Sequence, residues 1–185
     1  MTTTVSTPTA LIGDYQLDVA HTTLGFVARH AMVTKVRGRF TEFEGTVHID
    51  ENLAGSTVNV VIKVGSIDTR QEARDAHLRS NDFLAIDQYP EITFRSTDVA
   101  RSTDDAVTIT GDLTIRGVTK PVTFDLEYTG SATDPFGNHR VGFEGSTVIN
   151  RKDWGVNWNA ALETGGVLVS EKVMLEFDVS AIKLS

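Results

Sequence analysis

Apolar and polar residues alternate along most of this chain with a period of two, the pattern of strands that bury one face. Tyr15, Leu17 and Val19 alternate with Gln16 and Asp18, and the alternation resumes in the opposite phase at Leu24, Phe26 and Ala28. A slip of phase inside one run predicts a bulge or a sharp bend. The next run behaves alike: Val36, Gly38 and Phe40 share a face, then Phe43, Gly45, Val47 and Ile49 take over. Val58, Val60, Ile62 and Val64 give a third strand. Ile92 and Phe94, Val107 to Ile115, Val122 to Tyr128, Val141 to Ile149 and Val173 to Ala181 continue the pattern, with turns at Gly117 and over Asp134–Asn138. The count is about eight strands, mostly antiparallel, several of them ~12 residues long and therefore roughly 40 Å tall.

The period changes to 3.6 only between Thr69 and Leu84. Thr69 followed by Glu72 reads as a capping box, and Ala73, Ala76, His77 and Leu78 leave a narrow apolar stripe. One short helix between runs of long strands reads as a lid or plug on a closed sheet. A β-sandwich and an up-and-down barrel both fit eight strands. Long strands, hairpin connections and glycines on the inner face at Gly38, Gly45, Gly111 and Gly145 favour the barrel. The expectation is thus an all-β, eight-stranded antiparallel up-and-down barrel with one short helix near an opening.

The inward set is apolar: Phe26, Phe40, Phe43, Val60, Ile62, Phe94, Leu113, Phe124, Phe143, Leu175 and Phe177. A filled core and a hollow tube both satisfy this pattern, and the inner glycines argue for unfilled volume. A hollow apolar tube suits a lipid tail, since each buried methylene contributes ~0.8 kcal/mol.

At 185 residues the chain is one domain, read here as a flexible lead over 1–13 and a barrel over 14–185. The formal charge is −8 and no basic run interrupts it, which argues against a nucleic-acid partner. Cysteine is absent, which removes thiol chemistry and thiolate metal sites. No apolar run has the length of a membrane span and no signal peptide is visible, so the expectation is a cytoplasmic protein. A homodimer is compatible with the sequence.

None of the five histidines stands in a metal-ligand spacing, so no metal is expected. His48 lies on a solvent face and His139 in a hairpin tip. Asp18 with His21, and Asp75 with His77, are spaced as acid–base pairs, the basis of a rival enzymatic reading. A third reading is a ligand-free structural barrel. Arg151, Asp153, Trp154 and Gly155 read as a barrel-end lock, with the indole over the opening and an ion pair fixing the loop.

These segments resemble the YceI-like polyisoprenoid-binding family, a lipocalin-like barrel. The resemblance spans residues 14–183 and rests on Asp18–Thr22 with Gly25, Phe26 and His30; on Gly38–Phe40 with Phe43 and Gly45; on Asp75, His77–Ser80 and Asp82–Leu84; on Tyr89-Pro90; on Gly111–Thr119; and on Arg151–Gly155. It implies a non-catalytic binding protein whose tubular interior holds a polyprenyl phosphate, an isoprenoid quinone or a similar long-chain lipid, with no other cofactor. Many members carry a secretory signal, from which this chain departs. On this chain the tail would meet the inward set above, with Phe83 and Leu84 from the plug and Trp154 from the closing loop. The head group would meet His21, Arg29, His30, Arg79 and Arg151, since guanidinium forks match phosphate and carbonyl oxygens.

Overall fold

The computed structural model describes residues 7–184. Its strands are β1 (Gly13–Leu17), β2 (Thr23–His30), β3 (Thr34–Phe40), β4 (Phe43–Ile49), β5 (Thr57–Lys63), β6 (Ile67–Asp68), β7 (Glu91–Thr103), β8 (Ala106–Ile115), β9 (Val118–Thr133), β10 (His139–Asn150) and β11 (Lys172–Lys183), with one α-helix, α1 (Glu72–Arg79). All belong to one antiparallel sheet, and β1 closes it by pairing with β4 on one side and β11 on the other. Three wall positions are shared by two strands each. β11 faces β1 at Leu17–Ala181 and β2 at Thr23–Asp178, while β4 follows β3, and β6 follows β5, along the same course. The result is a closed eight-stranded barrel, as the alternation implies.

The two phase slips are the joints of these shared positions. Between β1 and β2 the chain makes a 3₁₀ turn over Val19–His21, whose amide at Ala20 is held by the Asp18 carboxylate. Between β3 and β4 it bends at Thr41, whose amide donates to the Ser66 carbonyl. The β8–β9 connection is a two-residue turn with positive φ at Arg116 and Gly117, the conformation that matches strand twist.

The barrel has two unlike ends. At the hairpin end lie the β7–β8 turn, the 51–56 turn and the segment before β1. At the helix end lie α1, the β8–β9 turn and the long loop from Arg151 to Glu171. The segment expected as a free lead is folded from Thr7 onward: the Thr7 amide donates to the Glu51 carbonyl, Thr9–Leu11 form a 3₁₀ turn, and the Tyr15 hydroxyl donates to the Leu11 carbonyl. Residues 1–6 lie outside the described residues.

The helix is shorter than the expected 69–84, and the capping box does not form. Gln71 occupies the N-cap without a side-chain bond, and Glu72 reaches forward to Arg79. The Thr69 amide and hydroxyl both donate to one oxygen of the buried Asp75, so the first turn of the helix is tied back to the residue that follows β6. Beyond Arg79 the chain runs through non-helical turns that bury Phe83 and Ala85.

Buried side chains gather in two clusters, one around Tyr15, Leu17, Leu24, Phe43 and Ala181, the other around Val64, Ile92, Leu113, Ile149 and Trp154. Between them Phe26, Phe40, Phe94, Phe124, Phe143 and Phe177 point inward yet are only partly buried. In a filled core such rings would be sealed, so the middle of the barrel is hollow. The inner glycines do not supply this volume as expected. Phe26 lies on Gly38 and Phe94 on Gly111 so closely that an added Cβ would collide with the respective ring tips. Gly38 and Gly111 are seats for rings, Gly45 and Gly145 make room for Leu17 and Leu126, and the void remains elsewhere in the barrel.

Candidate functional site: an apolar tunnel

The hollow is a single cavity of about 590 Å³ running along the barrel. Thirteen of the fourteen residues expected to meet a lipid tail line it: Phe26, Phe40, Val60, Ile62, Phe83, Leu84, Phe94, Leu113, Phe124, Phe143, Trp154, Leu175 and Phe177. Phe43 does not; it is buried against Tyr15, Leu17 and Leu24 at the joint after β3, where the wall is packed rather than hollow. Phe94, Phe124 and Phe177 form a tilted stack across the lumen, with centroids 5.6 and 4.9 Å apart.

The lining is exposed at one end and buried at the other. Thr57, Arg101, Thr103, Asp104 and Asp105 border the cavity at the hairpin end and are solvent-exposed, whereas Phe83, Arg151, Trp154 and Val156 border it at the helix end and are buried. The tunnel therefore opens between the β7–β8 turn and the 51–56 turn, and is blind under α1.

Trp154 closes the blind end by hydrogen-bonding its indole N–H to the Leu113 carbonyl of β8, two strands along the wall. Arg151 has no ion pair with Asp153, contrary to the expected lock. Its guanidinium donates instead to the carbonyls of Val156, Val169 and Ser170, stapling the loop, and burial holds its pKa below the usual value against the opposing field of Glu171. Carbonyl oxygens do this work because they accept from a buried cation without adding a second charge to desolvate. A cluster of rings, His77 edge-on to Phe83 and Trp158 at 5.0 and 4.7 Å, joins the plug to the same loop.

Of the five residues expected at a head group, only Arg151 reaches the cavity. His21 is exposed on the outer wall, bonded at 2.7 Å to Asp18. Arg29 and His30 are exposed at the end of β2, and Arg79 turns back along α1 to Glu72. All four sit at element ends, where a period of two no longer says which way a side chain points. The acid–base pairs fare similarly. Asp75 bonds Thr69 and not His77, which pairs with Asp82 at 2.8 Å, and Asp18–His21 faces solvent. Neither histidine lines the tunnel.

The mouth carries no signal in the sequence. Arg101, Thr103, Asp104 and Asp105 lie in a polar hairpin with no apolar partner to mark them, and Thr7, Pro8 and Leu11 lie in what reads as a lead. Leu126 and Tyr128 were detectable, since they continue the inward phase of β9. His48, expected to be inert on a solvent face, also borders the cavity near the mouth. Its bonds to Asp14 at 2.7 Å and to Asp50 raise its pKa above the ordinary value. Among the described residues, no His, Cys, Asp and Glu side chains are grouped to hold a metal ion, and no helix is long and apolar enough to cross a membrane.

The barrel resembles solved structures throughout its length. It matches BcnA of Burkholderia cenocepacia with a TM-score of 0.78 at 23% identity, covering 89% of this chain and 98% of that one. It matches a polyisoprenoid binding domain from Saccharophagus degradans with a TM-score of 0.71 at 17% identity, covering 92% and 98%. In sequence it is 39% identical over 165 residues to a UPF0312 protein of Staphylococcus aureus, covering 88% of this chain and 94% of that protein. A UPF0312 protein of Vibrio parahaemolyticus is 40% identical over 150 residues, covering 80% and 79%. The model of the YceI-like domain matches residues 15–181, so the chain belongs to the YceI-like family.

Proposed function

We propose that the protein binds and carries a long-chain isoprenoid, as a polyprenyl phosphate or an isoprenoid quinone, and performs no chemistry on it. The observation that carries this reading is the hollow lumen, whose inward phenylalanine rings stay only partly buried and so keep apolar surface free for a ligand. The Saccharophagus degradans neighbour, a polyisoprenoid binding domain by its description, supports the same reading. The tail fills the tunnel toward Trp154, and the head group stays at the mouth beside Ser56, Thr57 and Arg101, where the lining turns polar. This reverses the orientation that the head-group set inferred from the sequence would require.

A cavity of 590 Å³ holds about twenty groups at the ~30 Å³ of a water-sized group, or about four five-carbon units. At ~0.8 kcal/mol per group the gross gain is roughly 16 kcal/mol. Association costs of about 4–15 kcal/mol take up much of it. Titration with isoprenoids of increasing chain length tests the reading. Affinity should rise with each unit up to about four and then level off as further units protrude. Affinity that did not depend on chain length would overturn it.

A further inference from the structure

The apolar residues that protrude from the helix end, and the cations beside them, have no role in the tunnel. The β2–β3 hairpin ends in Met32 and Val33, which are 62% and 75% exposed. Ala31 and Met32 both carry positive φ, 52° and 63°, where the turn would favour Asn-Gly. The cost of holding two such residues at an exposed tip points to a use for the side chains.

A second, smaller hairpin lies against the first. In it Leu168 donates its amide to the Ala160 carbonyl and Leu162 donates to the Gly166 carbonyl, leaving Val167 38% exposed. The Ala31 amide donates to the Leu168 carbonyl, and the Met32 sulfur rests on the Gly166 backbone. The two tips therefore form one rigid unit presenting Met32, Val33 and Val167.

Charge follows the same geometry. Although the whole chain carries −8, residues 27–41 contain Arg29, Lys35, Arg37 and Arg39 and no acidic residue. Arg37 is neutralised by Glu176 and Arg39 is near Asp68. Arg29 donates to the Val33 carbonyl, which carries its guanidinium to the tip, and Lys35 is exposed beside it. Glu163, in the second hairpin, is exposed, and Glu171, next to the Ser170 that bonds Arg29, is paired with Lys152.

We propose that this double tip docks the protein on a membrane surface containing anionic lipid, with Met32, Val33 and Val167 entering the interface and Arg29 and Lys35 meeting the head groups. Three side chains are far too small a patch for a stable protein interface, which needs about 800 Å² from each partner. Shallow apolar insertion flanked by cations is sufficient for a lipid surface. The same loop places Val156 and Val169 in the tunnel wall and Val167 in the tip, so docking bears on the blind end of the cavity through one short segment.

Co-sedimentation with vesicles of phosphatidylcholine mixed with phosphatidylglycerol tests this. The full chain should bind these vesicles more tightly than vesicles of phosphatidylcholine alone, and added salt should weaken the binding. The double variant Met32→Asn, Val33→Asp keeps a residue that tolerates the left-handed turn, so a thermal melt should be unchanged while affinity falls roughly tenfold or more. Phe136→Ser alters the most exposed aromatic at the β9–β10 turn and should bind as the parent does. Failure of the parent to bind, equal binding by the double variant, or loss of binding in Phe136→Ser would each overturn the proposal. So would a double variant that turned a dimer into a monomer and still bound vesicles as the parent does.

Discussion

Replacing Phe124 with aspartate tests the tunnel at the middle of its aromatic stack. The ring stands between Phe94 and Phe177 and faces the void on its free side. Truncating a fully packed phenylalanine costs ~3–5 kcal/mol. Here the void already denies the ring part of its contacts, and the two aromatic pairs contribute about 0.5–1.5 kcal/mol each. The expected loss of stability is therefore about 1–3 kcal/mol, which a barrel of this size survives. Binding should suffer more in proportion. A carboxylate draws water into the lumen, and if three tail methylenes lose their apolar wall at ~0.8 kcal/mol each, affinity falls roughly fiftyfold. The shift of tryptophan emission on titration with a polyprenyl phosphate reads the affinity, because the tail reaches Trp154 at the blind end and changes the polarity around its indole. Phe124→Leu should stay within about fivefold of the parent, since it keeps the wall apolar. If the aspartate variant is folded and binds as the parent does, the inward face has been assigned wrongly.

Other perturbations probe separate parts of the account. Gly38→Ala should leave stability nearly unchanged, the gain of ~0.4–1 kcal/mol from a stiffer unfolded chain offsetting the displaced Phe26 ring. It should weaken binding about fourfold, the worth of one methylene, because the ring moves into the lumen. Trp154→Phe leaves the Leu113 carbonyl buried without its donor and should cost about 1–3 kcal/mol in chemical denaturation. On the outer wall, the Arg140 bond holds Asp18 below the usual carboxylate range, with His21 and the Ala20 amide assisting. For Asp134 burial pulls upward, but Arg140 and the amides of Asn138 and Phe136 outweigh it. Both contributions are present above the unfolded carboxylate value of ~3.9 and are lost as pH falls through the folded values. Arg140→Gln should therefore lower stability more at neutral pH than in strong acid, flattening the acid limb of a stability–pH profile. His48 has the opposite sign: its raised pKa stabilises below ~6.5 and the benefit disappears as pH rises, so His48→Gln should remove a loss on the alkaline side.

The barrel was legible because a period of two reports which face is buried, and thirteen of the fourteen expected tail residues sit on that period or in the closing segments. The phase slips also carried real information, since each marks the joint where two strands share one wall position. Phe43 was misplaced because it follows such a joint, where facing inward means facing packed neighbours. Four of the five residues expected at a head group lie away from the tunnel for a related reason. His21, Arg29, His30 and Arg79 occur at turns and termini, and their directions are set by tertiary contacts that no local pattern encodes. The capping box was a correct local motif overruled by a longer-range partner, because burying Asp75 required Thr69 as its donor. The inner glycines point to a hollow barrel for the wrong reason: Gly38 and Gly111 receive neighbouring rings, and Gly45 and Gly145 receive Leu17 and Leu126, so none of them supplies the void.

Native mass spectrometry of the freshly purified protein, followed by extraction and identification of any bound molecule, tests the central claim most directly. The account predicts one isoprenoid or comparable long-chain lipid per chain, or uptake of one when polyprenyl phosphates or quinones are added to the empty protein. A protein that stays at its bare mass after both steps would contradict it and leave a ligand-free barrel in its place.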